Sequence, residues 1–253
     1  MRAIELNGIE VEKNKQAFSW GRIAAIDTED FHRRIAGDEA ANDDETLDDV
    51  MRRRADFLVD YQNQALSDRY VALVTRVRDA EDGVDGEGDL TDAVARSYFK
   101  FLSYKDEYEV ARLHTQTGFL EKVRREFGDK AKLRFHLAPP LISRAKDARG
   151  RPRKKEFGAW MVPAFRLLAK MRGLRGTRLD LFGLTADRRL ERALIGEFEQ
   201  TVETLLSVLD KENIGDAETV VRLYMDIRGY GPVKEQAADE VRGKIAAHAI
   251  MQV

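Results

Sequence analysis

The sequence contains no cysteine among its 253 residues. Disulfides, zinc–thiolate sites and iron–sulfur clusters ligated within the chain are therefore excluded. A chain without thiols suits a reducing compartment, and we expect a cytoplasmic protein. There are only four histidines, and no two of them have the spacing of metal ligands on one helix. The sequence therefore predicts no metal site and no cofactor held by this chain.

Long apolar runs are missing as well. No stretch of eighteen apolar residues occurs, so we expect no membrane partner. Charge of one sign is not in excess, because 43 Lys and Arg face 45 Asp and Glu. The net charge of −2 gives no overall field that would attract nucleic acid, and we expect no nucleic-acid partner. Proline is scarce at five residues, while 35% of the chain is charged, which is typical of exposed helices.

Apolar residues recur at helical spacing over most of the chain. From Thr46 to Asp79 they fall at steps of three and four without Gly or Pro, which predicts one long helix with Thr46 as its N-cap. Thr185 is expected to cap a second long helix that runs to Leu209. Further helices are predicted over 91–102, 106–116, 118–127, 162–172, 217–225 and 233–249. The predicted fold class is mainly α, an irregular multi-helix bundle.

The period changes from helical to alternating at residues 132–137, which is typical of a strand. A partner strand is expected near Leu141–Ile142. The sequence therefore predicts one small β-hairpin or short sheet near residues 132–156. The aromatic residues that follow, Trp160 among them, are interpreted as core.

The first two dozen residues have the pattern of two short helices, the first closed by Gly8. Two short helices with no sheet beneath them cannot bury an apolar face alone, so we expect the chain to be a piece of a larger protein. Residues 38–49, DEAANDDETLDD, carry seven acids and no base. This segment is predicted to be a solvated linker, with a regulatory or metal-binding role as the alternative.

Several separated strings resemble one enzyme family. AIELNG (3–8) and VEKNKQAFSWGR (11–22) are similar to the C-terminal end of the gamma-type domain of 2-oxoacid:ferredoxin oxidoreductases. Further strings resemble, in the same order, the C-terminal helical region of fused indolepyruvate ferredoxin oxidoreductases. They are YKDEYEVARL (104–113), FHLAPPL (135–141), GRPRKKEFGAWM (150–161), LLAKMRGLRGT (167–177), FGLTADRRLERALIGE (182–197) and DIRGYGPVK (226–234).

The resemblance implies a division of the chain into three parts. Residues 1–37 correspond to the tail of a gamma-type domain, 38–49 to the acidic linker, and 50–253 to a helical accessory domain of unassigned role. The parent enzyme is expected to decarboxylate aryl pyruvates oxidatively to acyl-coenzyme A. It would use thiamine diphosphate, Mg and an iron–sulfur cluster, with ferredoxin as electron acceptor. Partners implied for this chain are the remaining domains of that oxidoreductase, and ferredoxin.

This chain departs from the family pattern in the parts that carry the chemistry. It has no cysteine for a cluster and lacks the thiamine-binding signature, so no catalytic or cofactor-binding residue is carried over. We therefore expect a non-catalytic accessory or structural domain. The alternative is a binding module for a phosphate-bearing ligand, coenzyme A or a nucleotide, and a free-standing enzyme is the third hypothesis.

Three groups of cations are candidate contacts to a ligand or partner. The basic run 144–155 contains Arg151, Arg153, Lys154 and Lys155. It is interpreted as a solvated loop, as a docking site for an acidic protein such as ferredoxin, or as a phosphate site.

The second candidate group lies in YKDEYEVARL. Lys105 and Glu109 are four residues apart, as are Tyr108 and Arg112, so each pair would share a helix face. We favour a network of hydrogen bonds and ion pairs between helices over a polar pocket.

The third candidate group is Arg228-Gly-Tyr-Gly-Pro-Val-Lys234. A glycine turn that enters a helix offers free N–H groups to an anion. Arg228 and Lys234 are therefore candidate anion contacts, although a turn of purely structural purpose is the favoured interpretation.

Overall fold

The computed structural model describes residues 5, 11–26, 45–128, 132–137 and 155–252. The structure is 74% helical, and the described residues form ten α-helices and one two-stranded antiparallel sheet, which confirms the predicted fold class. The helices are α1 (Val11–Ile26), α2 (Leu47–Tyr61), α3 (Gln64–Asp82), α4 (Asp89–Leu102), α5 (Glu107–Thr115), α6 (Phe119–Phe127), α7 (Met161–Lys170), α8 (Ala186–Val208), α9 (Ile214–Leu223) and α10 (Pro232–Ala247). Short 3₁₀ turns follow α7, α9 and α10, at Met171–Leu174, Tyr224–Asp226 and Ala249–Met251.

The chain divides into two compact units, residues 1–50 and 51–253. In the first unit, α1 contains no buried residue. Its Phe18 and Trp20 side chains are 49% and 41% exposed. Lys15 pairs with Glu5 at 2.7 Å. The helix therefore forms without a core of its own among the described residues of this unit.

In the second unit, α4 is the central helix and packs on α3, α8 and α9. Nine of its fourteen residues are buried, because its apolar and small side chains form one wide face, whereas Asp89 and Arg96 lie exposed on the opposite side. Tyr98 stacks on Phe198 of α8 with ring centroids 5.6 Å apart. Phe101 meets Tyr224 edge-on at 5.7 Å. Aromatic packing thus fixes the centre of the bundle.

A smaller core lies between α5, α7 and the sheet. Strand β1 (Phe135–Leu137) pairs antiparallel with β2 (Lys155–Phe157), with Phe135 opposite Phe157. Phe135 and Phe165 are buried against each other and against Ala111 and Ala169. The alternation predicted for 132–137 is confirmed, since its apolar face joins this cluster.

Two sequence predictions are corrected in detail, and a third falls outside the described residues. The long helix predicted over 46–79 is two helices, because Asn63 caps α3 by accepting the Leu66 N–H at 3.0 Å. The strand opposite β1 is 155–157, and Leu141–Ile142 lies outside the described residues. Trp160 is 66% exposed and is not core. The predicted caps Thr46 and Thr185 are confirmed, since each accepts a backbone N–H of the first helical turn.

Candidate functional site

The N-terminus of α5 is built around a buried ion pair. Asp106 is the N-cap, and its carboxylate accepts the Glu109 N–H at 2.8 Å. The same carboxylate accepts two hydrogen bonds from the Arg175 guanidinium, at 2.6 and 2.9 Å. Both side chains are only 3% exposed. A capping carboxylate thus also balances a buried cation, which satisfies both groups without water.

Arg175 also holds the C-terminal end of α2. Its third nitrogen donates to the Tyr61 carbonyl at 2.7 Å, and its guanidinium lies 3.6 Å from the centre of the Tyr61 ring. The Tyr61 hydroxyl donates in turn to the Tyr104 carbonyl at 2.7 Å. Burial raises the pKa of Tyr61 well above its usual value, and burial together with the charge of Asp106 raises the pKa of Tyr104 to about 12. Both phenols are therefore neutral at physiological pH.

Residues 175–184, here called the leucine loop, are organised by a second buried carboxylate. Asp180 is 7% exposed and accepts three backbone N–H groups, from Gly176, Phe182 and Gly183, at 2.8 to 3.2 Å. The Tyr108 hydroxyl of α5 donates to the same carboxylate at 3.2 Å. A Cβ at Gly183 would lie 2.6 Å from Asp180 Oδ2, so this close turn requires glycine. The backbone of the loop is therefore fixed from its inner side.

The outer side of the leucine loop is apolar and is bordered by arginines. Leu179, Leu181 and Leu184 are 68%, 58% and 76% exposed. Arg189 donates to the Leu184 carbonyl at 2.8 Å, and Arg192 donates to the Gly183 carbonyl at 2.6 Å. The loop thus presents exposed leucines next to guanidinium groups that are held in place by its own backbone.

The first turns of α8 connect the leucine loop to α5 and α10. Arg188 approaches Glu107 of α5 at 3.4 Å. Glu191 pairs with Lys234 of α10 at 2.5 Å, and both of these side chains are largely buried. The segments 104–112 and 228–234, which were separate candidates in the sequence, are therefore joined through α8.

A group of cations lies where α4 ends beside α9 and α10. Lys100 donates to the carbonyls of Tyr224 and Met225 at 3.1 and 2.9 Å. Arg228 donates to the same Met225 carbonyl at 3.0 Å, so the two positive groups share one acceptor. Burial, with the positive charges of Lys234 and Arg228, lowers the pKa of Lys100 to about 8. Burial is the largest cause of this shift, and the acids Asp226 and Glu191 act in the opposite direction.

The candidate residues in 104–113 have structural partners. Arg112 is buried and forms two hydrogen bonds with Glu109, at 2.8 and 2.9 Å. Its guanidinium also lies 5.0 Å from the Phe57 ring centre. Lys105 is exposed and precedes α5, so the expected face shared with Glu109 is wrong. The favoured network of hydrogen bonds and ion pairs is confirmed, and it extends further than the local pattern indicated.

The remaining candidates differ in their surroundings. Lys234 is committed to Glu191, whereas Arg228 is exposed. Lys155 is exposed at the start of β2. Arg151, Arg153 and Lys154 lie outside the described residues. The basic run is therefore a prediction that stays open, apart from the exposure of Lys155.

Sequence reasoning missed four residues that build this region. Asp106, Arg175, Asp180 and Lys100 are all buried or half-buried polar groups with partners far along the chain. The Asp106–Arg175 pair spans 69 positions and the Tyr108–Asp180 hydrogen bond spans 72. Helical spacing carries no information over such distances. A usable signal was present at Asp106, since Asp followed by Glu three positions later is a capping pattern.

Surface grooves and clusters of metal-ligating side chains add no further candidate site within the described ranges. A surface groove of about 190 Å³ lies along α1, and another of about 450 Å³ lies along α6. Neither groove is lined by any of the cations that the sequence suggests as contacts to a ligand or partner. Within the described residues no three acidic or histidine side chains converge as metal ligands. Across the same residues, no helix has the length and apolar character needed to cross a membrane.

Comparison with known proteins gives one family. No curated protein matches the chain, and no solved structure matches it. The model of a family of unknown function, DUF6537, matches residues 47–247. The matched range begins at the first residue of α2 and ends at the last residue of α10. The chain therefore belongs to this family of unknown function, DUF6537.

Proposed function

We propose that this chain is a non-catalytic accessory domain of a cytoplasmic 2-oxoacid:ferredoxin oxidoreductase, and that it docks on the remaining domains of that enzyme. The resemblance of separated strings supports the enzyme class. Three of those strings, 104–113, 167–177 and 182–197, contribute the residues that meet around Asp106, Arg175 and Asp180. The resemblance thus includes residues that contact each other across the fold.

The closed polar network is the observation that carries the accessory role. Asp106 and Arg175 form hydrogen bonds with each other and with backbone groups, and Asp180 accepts hydrogen bonds from backbone N–H groups and the Tyr108 hydroxyl. A catalytic site keeps at least one polar group free for a substrate, whereas a structural network uses its groups internally. The charged side chains at this junction therefore support a scaffold for contacts with other protein, with the chemistry left to the parent's thiamine diphosphate, Mg and iron–sulfur cluster.

Reconstitution tests this proposal. The purified chain is mixed with the gamma-type and thiamine-binding polypeptides of an indolepyruvate ferredoxin oxidoreductase from the same cell, and complex formation is followed by light scattering after gel filtration. We expect a stoichiometric complex, and no oxidation of indolepyruvate by this chain alone with coenzyme A and ferredoxin. Turnover by the isolated chain, or absence of any complex at micromolar concentrations, would contradict the accessory role.

We propose a phosphate-bearing ligand, coenzyme A or a nucleotide, as the second candidate function. The shared Met225 carbonyl and the lowered pKa of Lys100 favour it, because an anion placed beside Lys100 and Arg228 would offset their mutual repulsion. Lys234 adds positive potential from α10 although it is paired with Glu191.

Thermal denaturation in the presence of coenzyme A, acyl-coenzyme A and ATP tests the second candidate. A ligand at 100 times its Kd stabilises the folded state by about 2.7 kcal/mol, which gives a clear rise in Tm. Arg228→Glu is expected to abolish that rise, whereas Arg166→Glu, an exposed arginine of α7, leaves it unchanged. Equal Tm values with and without each millimolar compound would rule out this binding site.

A further inference from the structure

The three leucines of the leucine loop are exposed in a segment whose backbone is fixed. Burying apolar surface is favourable by about 25 cal/mol per Å², so leucines that stay 58% to 76% exposed leave that free energy unused in the isolated chain. Leu179, Leu181 and Leu184 fall within six consecutive positions. Their loop begins directly after a 3₁₀ turn and ends one residue before Thr185, the cap of α8. Exposed apolar residues concentrated in one short segment favour an interaction site, unlike single scattered ones.

The loop is held in one conformation before any partner arrives. Asp180 binds three backbone N–H groups of the loop, and Tyr108 fixes that carboxylate from α5. Arg189 and Arg192 bind the carbonyls at its C-terminal end. A partner would therefore not have to order the loop, which removes an entropic cost that weakens many interfaces.

Most of the exposed charges around the leucines are positive, and the exposed acid of the segment is Asp187. Arg178 is exposed within the loop, and the Arg189 guanidinium is bound at Leu184 itself. Between 175 and 190 the acids are Asp180 and Asp187, and the Asp180 carboxylate is buried and fully used. The exposed part of this segment is therefore a small apolar centre with arginines beside it.

We propose that the leucine loop is the docking face of this chain, and that its partner is a protein surface with an apolar centre ringed by carboxylates. This inference rests on the proposed accessory function and adds the face and the chemistry of the partner. Arginine forks match carboxylates in geometry, and Arg178 and Arg189 are exposed in and next to the leucine loop. Arg192 adds positive charge, although it binds the Gly183 carbonyl and lies 4.0 Å from the Asp180 carboxylate. Apolar cores with arginine at the margin are the composition expected of protein interfaces.

Two other occupants fit the loop less well. A second copy would place arginines against arginines, since a two-fold contact pairs the same patch with itself. An anionic membrane is recognised by clusters of four to eight cations on mobile chains, whereas this loop offers three arginines, of which Arg189 and Arg192 are anchored to backbone carbonyls.

A designed peptide probe tests the chemistry of the partner on the full chain. The probe is a stapled helix that presents three leucines on one face, flanked by glutamates, and its counterpart carries lysines in place of the glutamates. Binding is measured by isothermal titration calorimetry at 50 and 300 mM salt. We expect the glutamate probe to bind at least tenfold more tightly than the lysine probe, and to weaken as salt rises.

Matched variants assign that binding to the loop. The triple variant L179S/L181S/L184S should lose the glutamate probe, and R178E/R189E should reverse the preference between the two probes. Phe127→Ser replaces a side chain that is 66% exposed at the end of α6, and it should bind like the unchanged chain. Circular dichroism confirms that each variant is folded. Unchanged binding by the triple variant, equal binding of both probes, or capture of the chain by phosphatidylserine vesicles instead of the probe would each overturn the proposal.

The same variants separate this inference from the proposed function. If the oxidoreductase polypeptides still bind the triple leucine variant, the accessory role stands and the docking face is wrong. If the glutamate probe binds through the leucine loop but the oxidoreductase polypeptides do not bind, the face is right and the assigned enzyme is wrong. Self-association of the unchanged chain that the triple variant abolishes, seen by sedimentation equilibrium, would favour a second copy and overturn the acidic partner.

Discussion

Arg175 has three simultaneous tasks that depend on one planar group. It neutralises Asp106, binds the Tyr61 carbonyl and covers the Tyr61 ring. Removing one member of a buried pair leaves an uncompensated charge, and this usually costs about 3–5 kcal/mol. The pair therefore determines much of the local stability, although an apolar replacement of both members could be far less costly.

A double-mutant cycle at Arg175 and Asp106 measures this coupling. Arg175→Met and Asp106→Ala should each lower the free energy of unfolding by about 3–5 kcal/mol in urea denaturation. The double variant should lose clearly less than the sum of the two, because neither charge is left alone. Arg134→Ala serves as control, since its pair with Glu156 is exposed and should contribute less than about 1 kcal/mol. Additive losses would show that the two side chains act independently.

The proton of Lys100 should be unusually weakly held. Because the pKa of this amine is lowered to about 8 in the fold, its titration makes the folded state gain stability as the pH rises from about 8 towards 10.5. Arg228→Gln removes one of the like charges and should raise the pKa of Lys100, as followed by NMR of its ε-carbon. An ammonium that titrates above 10 in the unchanged chain, or the same pKa in the variant, would contradict this account.

At the scale of elements, the spacing of apolar residues predicted which segments are helical but missed the boundary between α2 and α3. The pattern from Thr46 to Asp79 is continuous in hydrophobicity, yet the chain breaks at Asn63 because a side-chain cap competes with the next helical hydrogen bond. Trp160 was interpreted as core because other aromatic residues lie near it in the sequence. It is the residue before α7 and is exposed, whereas Phe165 within α7 is buried.

The leucine loop could not be predicted as a site from the sequence alone. A leucine is usually buried and an aspartate exposed, but here Leu179, Leu181 and Leu184 are exposed and Asp180 is buried. The sequence names Arg112 and Lys234 as candidate contacts to a ligand or partner, whereas in the structure they pair with Glu109 and Glu191. The first partner was within reach of helical spacing, whereas the second lies 43 positions away.

Gly183 provides a test of how the leucine loop is held. Gly183→Ala would push a methyl group against Asp180 and Arg192, and overpacking of this kind costs about 1–3 kcal/mol. We expect lower stability in urea and faster amide exchange at Gly176 and Phe182, whose N–H groups bind Asp180. The matched change Gly173→Ala meets no atom within 4 Å and should be neutral or slightly stabilising. Equal behaviour of the two variants would argue against a tightly held loop.

At the scale of the whole molecule, the second unit contains the aromatic centre and both buried carboxylate networks. Its helix α4 is buried on most sides, whereas α1 of the first unit buries no residue. The family match, 47–247, covers the same helices that build this core. The stability of the bundle should therefore depend on residues 45–253 and not on the residues before them.

Truncation tests that expectation. A polypeptide of residues 45–253 keeps the Thr46 cap and every helix from α2 to α10. It should unfold in one cooperative transition, with a denaturant midpoint within error of the full chain. A large fall in the midpoint or the loss of cooperativity would show that the first unit contributes to the core.

Arg175 also has a consequence for how the molecule is made. Its guanidinium reaches the Tyr61 carbonyl, which was synthesised 114 residues earlier. Until that arginine leaves the ribosome, the carboxylate at the start of α5 has no counter-ion, so the early helices cannot settle into their final arrangement. Nascent chains that stop short of it should remain sensitive to protease, and those that extend beyond the leucine loop should become resistant.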